Sequence, residues 1–215
     1  MKEIYRTVKG FGEDEIIINK SRFIGYASPI ESEEDALDFI EMIKTKHRDA
    51  THNVYAYVYG EDSNIQRFSD DGEPSGTAGI PVLEVIKKED LRNLVIVVSR
   101  YFGGVKLGGG GLIRAYTKSA KIGLDAGKIV DMTLHTKLSI IIPYTLLGKF
   151  ENFLSVSNYK AEDMIYKEEV EILIYLMNMK MESFIEDVMN LSNGLAEITS
   201  LEEKHLPAID GTRIY

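Results

Sequence analysis

The last third of the chain carries the clearest hydrophobic pattern. Apolar residues run through 134–142 as a strand and then recur at helical spacing over 146–154. Two more strand patterns, a second amphipathic helix and a last strand follow, at 159–166, 170–177, 184–191 and 196–201. This order, βαββαβ in about 75 residues, predicts a ferredoxin-like domain.

The first part of the chain mixes strand and helix patterns of an α+β protein. Strands are predicted at 4–8, 15–19, 22–29 and 94–99, a hairpin at 54–68, and helices at 32–43, 78–88 and 112–126. Ser32 is a suitable N-cap, with Asp35 three residues further on. The expected buried stripe of the first helix contains Leu37, Phe39, Ile40 and Ile43. We place a domain boundary near 129–134, which gives domains 1–131 and 132–215.

Composition is that of an ordinary globular protein, with 44% hydrophobic and 27% charged residues among 215. Cysteine is absent, which excludes disulfides, thiolate metal sites and cysteine nucleophiles. The opening residues contain no apolar stretch typical of a signal peptide, and no apolar run could span a bilayer. We therefore expect a cytoplasmic protein without a membrane partner.

Charge is distributed unevenly along this acidic chain. The formal net charge of −9 argues against a nucleic-acid partner when taken as a sum. Residues 92–128, however, contain seven Lys or Arg and one acidic residue, Asp125, for a local charge of +6. The distribution therefore favours an anionic ligand for this segment.

A glycine-rich segment, residues 99–121, is the most distinctive stretch of the sequence. A buried strand ends there in two glycines, and four more, Gly108, Gly109, Gly110 and Gly111, precede a helix. Glycine lets a ligand approach main-chain N–H groups, and a helix start adds unpaired donors and the positive end of its dipole. We therefore predict a site for an anion or nucleic acid, formed with the basic residues Arg100, Lys106, Arg114, Lys118 and Lys121.

The same residues have a purely structural interpretation. Glycines also permit tight packing of a strand against a helix, and the cations could simply solvate an exposed helix face. The segment is not a phosphate loop of the ATPase kind, because Leu112-Ile113 follow Gly111 where Lys and Ser or Thr would be required. ATP hydrolysis is therefore not expected.

An acidic loop, residues 68–79, is the second candidate motif, with Asp70, Asp71, Glu73 and Thr77. Its carboxylates could hold Mg²⁺ or serve as acid and base. Turn formation and capping of the next helix explain most of them, and this interpretation is favoured. The spacing of His47 and His52 fits no metal signature, and no G-x-S-x-G elbow occurs. We predict no metal, cofactor or catalytic residue.

Three stretches closely resemble the signature motifs of the Impact (YigZ-like) family. They are HRDATHNVYAYVYG, FSDDGEPSGTAGIPVLEVI and VVSRYFGGVKLGGGGLIRAYTKSA, beginning at residues 47, 68 and 97. The resemblance covers about 130 residues, and the βαββαβ unit that follows resembles the C-terminal domain of bacterial members, itself similar to a late domain of elongation factor G.

The resemblance implies an N-terminal domain like the second domain of ribosomal protein five of the small subunit. Eukaryotic members regulate translation by competing for an activator of the amino-acid-starvation kinase. They carry an additional N-terminal domain without a counterpart here, so the kinase-pathway role is not carried over. For bacterial members the resemblance implies contact with RNA or the ribosome.

Three functions remain open at this point. The first is a non-catalytic regulator linked to translation, which binds RNA or the ribosome through the glycine-rich segment. The second is an enzyme acting on a phosphate-containing small molecule, with Gly108–Gly111 as its anion nest and the acidic loop as metal ligand or base. The third is a protein-binding module, whose acidic C-terminal domain would recruit a translation factor or another protein.

Overall fold

A computed structural model of the chain describes residues 3–209 and 212–214. The chain forms two compact units. The first contains the described residues up to Met132 together with those of the segment Pro207–Thr212, and the second contains residues 133–206 and the described residues after 212. The return of the chain to the first unit after residue 206 is a long-range feature that no local pattern predicted.

The first unit is built on a five-stranded antiparallel sheet. Its strands and helices are β1 (Ile4–Val8), β2 (Gly12–Ile18), β3 (Ser21–Pro29), α1 (Glu33–Lys46), β4 (His52–Tyr59), β5 (Ile65–Ser69), α2 (Gly79–Lys88), β6 (Leu94–Tyr101) and α3 (Gly108–Gly127). The sheet order is β2-β3-β6-β4-β5, and β1 lies outside it. Every neighbouring pair in this sheet is antiparallel.

The central strand β6 is buried on both faces. Leu94, Ile96 and Val98 pack into a core with α2 and α3, whereas Val95 and Val97 pack into a second core with α1. Burial on both faces explains why this strand reads as a continuous apolar run instead of an alternating one. The strand also carries Arg100, two residues after Val98, into the interior.

Helix α1 begins as its sequence predicts. The Ser32 hydroxyl accepts a hydrogen bond from the Asp35 backbone N–H at 3.0 Å, which satisfies one of the free donors at the helix start. Phe39, Ile40 and Ile43 are buried as expected. The prediction for Leu37 was wrong, because this side chain is 53% exposed and Ala36 takes the buried position on the sheet.

Glycines allow α3 to pack directly on the backbone of β2 and β3. A Cβ added to Gly25 on β3 would fall on the carbonyl oxygen of Ser119, and one on Gly123 would lie 2.9 Å from the carbonyl carbon of Gly25. Gly12 on β2 meets the backbone of Gly127 in the same way. This close approach fixes where α3 runs, and therefore where its first turn opens.

The second unit has the predicted element order. Its elements are the later part of β7 (Ile129–Ile142), then α4 (Leu147–Val156), β8 (Asp163–Tyr166), β9 (Val170–Met177), α5 (Met181–Ser192) and the part of β10 (Glu197–Ile209) up to residue 206. The short strand β11 (Thr212–Arg213) is divided between the two units. The four main strands lie in the order β10-β7-β9-β8, and β11 pairs with β10. The α+β class with two domains is confirmed.

The core of the second unit comes from one face of its sheet and both of its helices. Leu138, Ile140 and Ile142 on β7 alternate inward and pack with Phe150 of α4 and Phe184 of α5. The α5 helix ends, as predicted, with Asn193 in the left-handed conformation. Strand β10 runs eight residues beyond the predicted end at 201. The prediction stopped early because the exposed, charged residues of this strand mask the strand pattern.

No helix within 3–209 or 212–214 is long and apolar enough to cross a membrane.

We expect Gly25→Ala to lower the free energy of unfolding by about 1–3 kcal/mol, because the new methyl group forces α3 away from β3. Urea unfolding followed by circular dichroism would measure this. The matched control is Gly10→Ala, since a Cβ at Gly10 has no atom within 4 Å. Equal stability of the two variants would contradict direct packing of α3 on the sheet.

Candidate functional site

The first turn of α3 is formed by the glycines themselves. The helix begins at Gly108, four residues before the predicted start at 112, so these glycines lie in the helix and not in a loop. Leu107 occupies the N-cap position without a side-chain hydrogen bond to the turn. The first N–H groups of a helix have no partner within it, and the helix dipole makes this end positive. The start of α3 therefore has no side-chain cap and carries the positive end of the helix dipole.

All three motif stretches meet in one pocket at this helix start, called the α3 pocket below. Its cavity has a volume of about 380 Å³. Residues separated by up to 61 positions line it: Thr51, His52, Glu73, Pro74, Arg100, Phe102, Lys106, Leu107, Gly108, Gly109 and Leu112. The fold therefore brings the glycine-rich segment, the acidic loop and the segment around His52 into a single site.

A buried ion pair forms the floor of the α3 pocket. The Arg100 guanidinium donates to Glu73 Oε1 at 2.5 Å, and the Tyr116 hydroxyl donates to the same oxygen at 2.7 Å. Both charged side chains are nearly inaccessible, with 6% and 3% exposed. Burial raises the pKa of Tyr116 well above its ordinary value, and the hydrogen bond to Glu73 raises this pKa further. The Tyr116 hydroxyl therefore keeps its proton and stays a donor.

Arg100 therefore has a different position from the surface cation that we predicted. Strand β6 carries it into the interior, where its guanidinium also lies over the rings of Phe23 and Phe102. Its positive charge is balanced by Glu73, a residue 27 positions away in the acidic loop. Arg100 therefore shapes the floor of the α3 pocket and does not extend into solvent.

His52 stands at the side of the pocket in a defined orientation. Its Nδ1 lies 2.7 Å from the carbonyl oxygen of Asp71, which can only accept, so Nδ1 carries a proton. The other ring nitrogen, Nε2, lies 3.9 Å from Glu73 Oε1. Sequence reasoning gave His52 no role, because its spacing to His47 matches no motif and its pocket neighbours are distant in sequence.

The remaining acidic-loop residues hold the backbone in place. The Asp70 carboxylate accepts from the N–H groups of Gly76, Ala78 and Gly79, which caps the start of α2. Asp71 accepts from the N–H of Asn53 at 2.6 Å. The Thr77 hydroxyl donates to the carbonyl of Pro74. Within 3–209 and 212–214, no group of three or more His, Asp or Glu could hold a metal ion.

The predicted cations of the glycine-rich segment divide into two kinds. Lys106, Arg114 and Lys118 are exposed, and in the described part of the chain none of the three forms an ion pair or side-chain hydrogen bond. Arg114 Nη1 lies 3.8 Å from the position of a Cβ on Gly110, so this cation reaches back to the helix start. These three residues form a free basic face beside the pocket.

Lys121 belongs to the second kind, since it is already neutralised. Its Nζ lies 2.8 Å from Glu89 Oε1 and 3.2 Å from Asp125 Oδ1. The hydrogen bond to Glu89 raises the pKa of Lys121 and lowers that of Glu89. The sequence suggested a stripe of three equal cations, because it could not reveal that Glu89, 32 residues earlier, packs beside the last of them.

The structure thus defines a two-domain α+β protein with an uncapped helix start, a pocket and a free basic face in its first unit. The sequence matches the Impact N-terminal domain over residues 19–124 and a domain of unknown function, DUF1949, over residues 140–195. It is 47% identical to the IMPACT family member YvyE of Bacillus subtilis, across 96% of this chain and 95% of that protein. The chain belongs to the IMPACT family, as its three motifs indicated.

Solved structures that are similar to the chain include the following two. One, the crystal structure of a hypothetical protein, is 30% identical, has a TM-score of 0.59, and matches 94% of this chain and 99% of that one. The other, described as the two-domain translational regulator Yih1, is 28% identical over 56% of this chain and 48% of that one, with a TM-score of 0.38.

We expect Glu73→Gln to reduce the free energy of unfolding by about 3–5 kcal/mol, because it leaves the buried Arg100 guanidinium without its counter-charge. Urea unfolding would measure the loss. Glu84→Gln, which removes an exposed partner of Lys87, serves as the control and should change stability little. A Glu73→Gln protein as stable as the parent chain would show that the pair is not a structural requirement.

Proposed function

We propose that the chain is a non-catalytic regulator linked to translation, which binds RNA or the ribosome through the free basic face of its first unit. Membership of the IMPACT family supports the link to translation at the level of the family, whose eukaryotic members regulate it. The finer proposal, contact with RNA or the ribosome, rests on the charge geometry of α3.

The observation that carries the proposal is that Lys106, Arg114 and Lys118 have no ion-pair or hydrogen-bond partner among residues 3–209 and 212–214. The other two cations named for this segment are compensated, since Arg100 pairs with Glu73 and Lys121 with Glu89. Charges at i and i+4 of a helix lie on one side, so Arg114 and Lys118 face the same ligand. Phosphate contacts of this kind supply sequence-independent affinity for nucleic acid.

The helix start adds a second source of attraction for phosphate. Its N–H groups and dipole favour an anion at the end of α3 toward which Arg114 extends. Phe102 is exposed beside this end and offers a face on which a base could stack. These groups together make a surface suited to a phosphate backbone, within a chain that is acidic as a whole.

The enzyme alternative has weaker support from the same site. Asp70 and Asp71 are engaged with backbone N–H groups, and Glu73 is engaged with Arg100 and Tyr116. A metal-dependent mechanism would need these carboxylates free. A non-catalytic binding function uses the exposed cations and leaves the carboxylates in their structural contacts.

We expect the double variant Arg114→Ala/Lys118→Ala to bind a structured RNA more weakly and with a flatter salt dependence. Two phosphate contacts contribute roughly 1.4–1.8 to the slope of log affinity against log salt, which the variant should lose. Fluorescence anisotropy across a salt series, repeated with small ribosomal subunits, would measure it. Lys121→Ala should have a much smaller effect, because Lys121 is already paired.

The matched control is Lys180→Ala/Lys204→Ala, which changes the net charge equally on exposed residues of the second unit. Its slope should equal that of the parent chain. An unchanged slope in the Arg114→Ala/Lys118→Ala variant, or equal losses in both double variants, would refute binding through the free basic face.

A further inference from the structure

The first turn of α3 contains two glycines that the fold itself does not require. Gly108 has φ of +70°, a conformation that favours glycine, and a Cβ on Gly111 would crowd Leu107 at 2.9 Å. Neither cause requires glycine at Gly109 or Gly110, because the nearest atom to a Cβ added at either position would be 3.8 Å away, an ordinary contact. Glycine is a poor helix former, so its presence at both positions calls for another explanation.

Close approach of a ligand to the main chain is such an explanation. The Cα–Cβ bonds of a helix tilt toward its N-terminus, so a methyl group on residue 109 or 110 would project to the side from which an anion reaches the free N–H groups. Glycine at both positions keeps that approach open. The protein itself would accept a methyl group at either position, since its nearest atoms would lie at ordinary contact distance.

The floor of the α3 pocket carries an independent sign of a missing acceptor. Arg100 lines the pocket and is 95% buried, yet its Nε has no hydrogen-bond partner among the described residues. Buried donors are almost always satisfied in folded proteins, so this exception calls for an explanation, and a bound water or ion is one. Because Arg100 and Glu73 balance each other's charge, this Nε contributes a hydrogen-bond donor and no net charge to the floor.

We propose that the α3 pocket binds a terminal phosphate group. The N–H groups at the start of α3 receive it, Lys106 and Arg114 neutralise it, and His52 lies at its side. A terminal phosphate carries three free oxygens and up to two charges, which suits converging donors better than an internal diester with two oxygens and one charge. The concave pocket accepts an end group, whereas a continuous strand would follow the free basic face.

The same chemistry has two sources, the 5′-phosphate of an RNA end and a phosphorylated small molecule. This proposal does not rest on RNA binding by Arg114 and Lys118, because the pocket receives a terminal phosphate from either source. The two sources are separated by using an RNA oligonucleotide with a 5′-phosphate, the same oligonucleotide with a 5′-hydroxyl, a nucleoside monophosphate and inorganic phosphate as probes.

The test compares the full chain with Gly109→Ala/Gly110→Ala. Neither methyl group meets a protein atom closer than 3.8 Å, so the variant should fold with an undiminished melting temperature. Gly148→Ala is the control, because Gly148 lies in helix α4 with no atom within 4 Å of an added Cβ. Binding of each probe would be measured by calorimetry and, for the oligonucleotides, by anisotropy.

We expect the parent chain and Gly148→Ala to prefer the 5′-phosphate RNA by about tenfold or more, the effect of one or two charge-assisted hydrogen bonds. The Gly109→Ala/Gly110→Ala variant should lose this preference while it keeps salt-dependent affinity for the 5′-hydroxyl RNA. A second outcome is that the parent chain binds the monophosphate or inorganic phosphate but no RNA, and that the Gly109→Ala/Gly110→Ala variant loses this binding. That outcome would support the pocket with a small-molecule source and refute the RNA proposal. Equal affinity of the parent chain for both oligonucleotides, with no binding of the small probes, would overturn the phosphate pocket and leave the RNA proposal standing.

Discussion

The buried contact between Arg100 and Glu73 holds the site of this protein together. It joins the end of the central strand β6 to the acidic loop, and Tyr116 joins the same carboxylate to helix α3. A buried charge without a partner is strongly destabilising, so each of these elements depends on the others for its place. The contact holds the acidic loop against the glycine-rich segment, and these are two of the three segments that line the α3 pocket.

Two features of packing decide which way the site faces. Burial of β6 on both faces sends Arg100 inward, and the glycine contacts of Gly25 and Gly123 bring α3 directly onto the backbone of β3. Helix α3 therefore has little freedom to shift or tilt on the sheet. Its glycine-rich first turn opens beside the ion pair, with the free basic face running along the adjacent helix surface.

Electrostatics in this chain depends on which charges have partners and much less on their sum. In a chain of net charge −9, Lys106, Arg114 and Lys118 have no ion-pair partner in the part of the chain that the structure describes, while Lys121 is neutralised by Glu89. Screening at physiological salt limits exposed interactions to about 8 Å, so the charges close to α3 matter more than the sum over the whole chain. A phosphate near α3 responds to the local charges.

The sequence by itself determined the elements, their order and the family. The Ser32 cap, the βαββαβ order and the glycine-rich segment are local signals, because hydrophobic period, capping and turn chemistry act within a few residues. Only the tertiary structure decided that Arg100 is buried, that Leu37 is exposed, that Lys121 is paired and that His52 lies beside the glycines. Partners such as Glu73 and Glu89 lie about 30 residues from the cations they neutralise, and no local pattern encodes which distant residues the packing of a helix on a sheet will bring together.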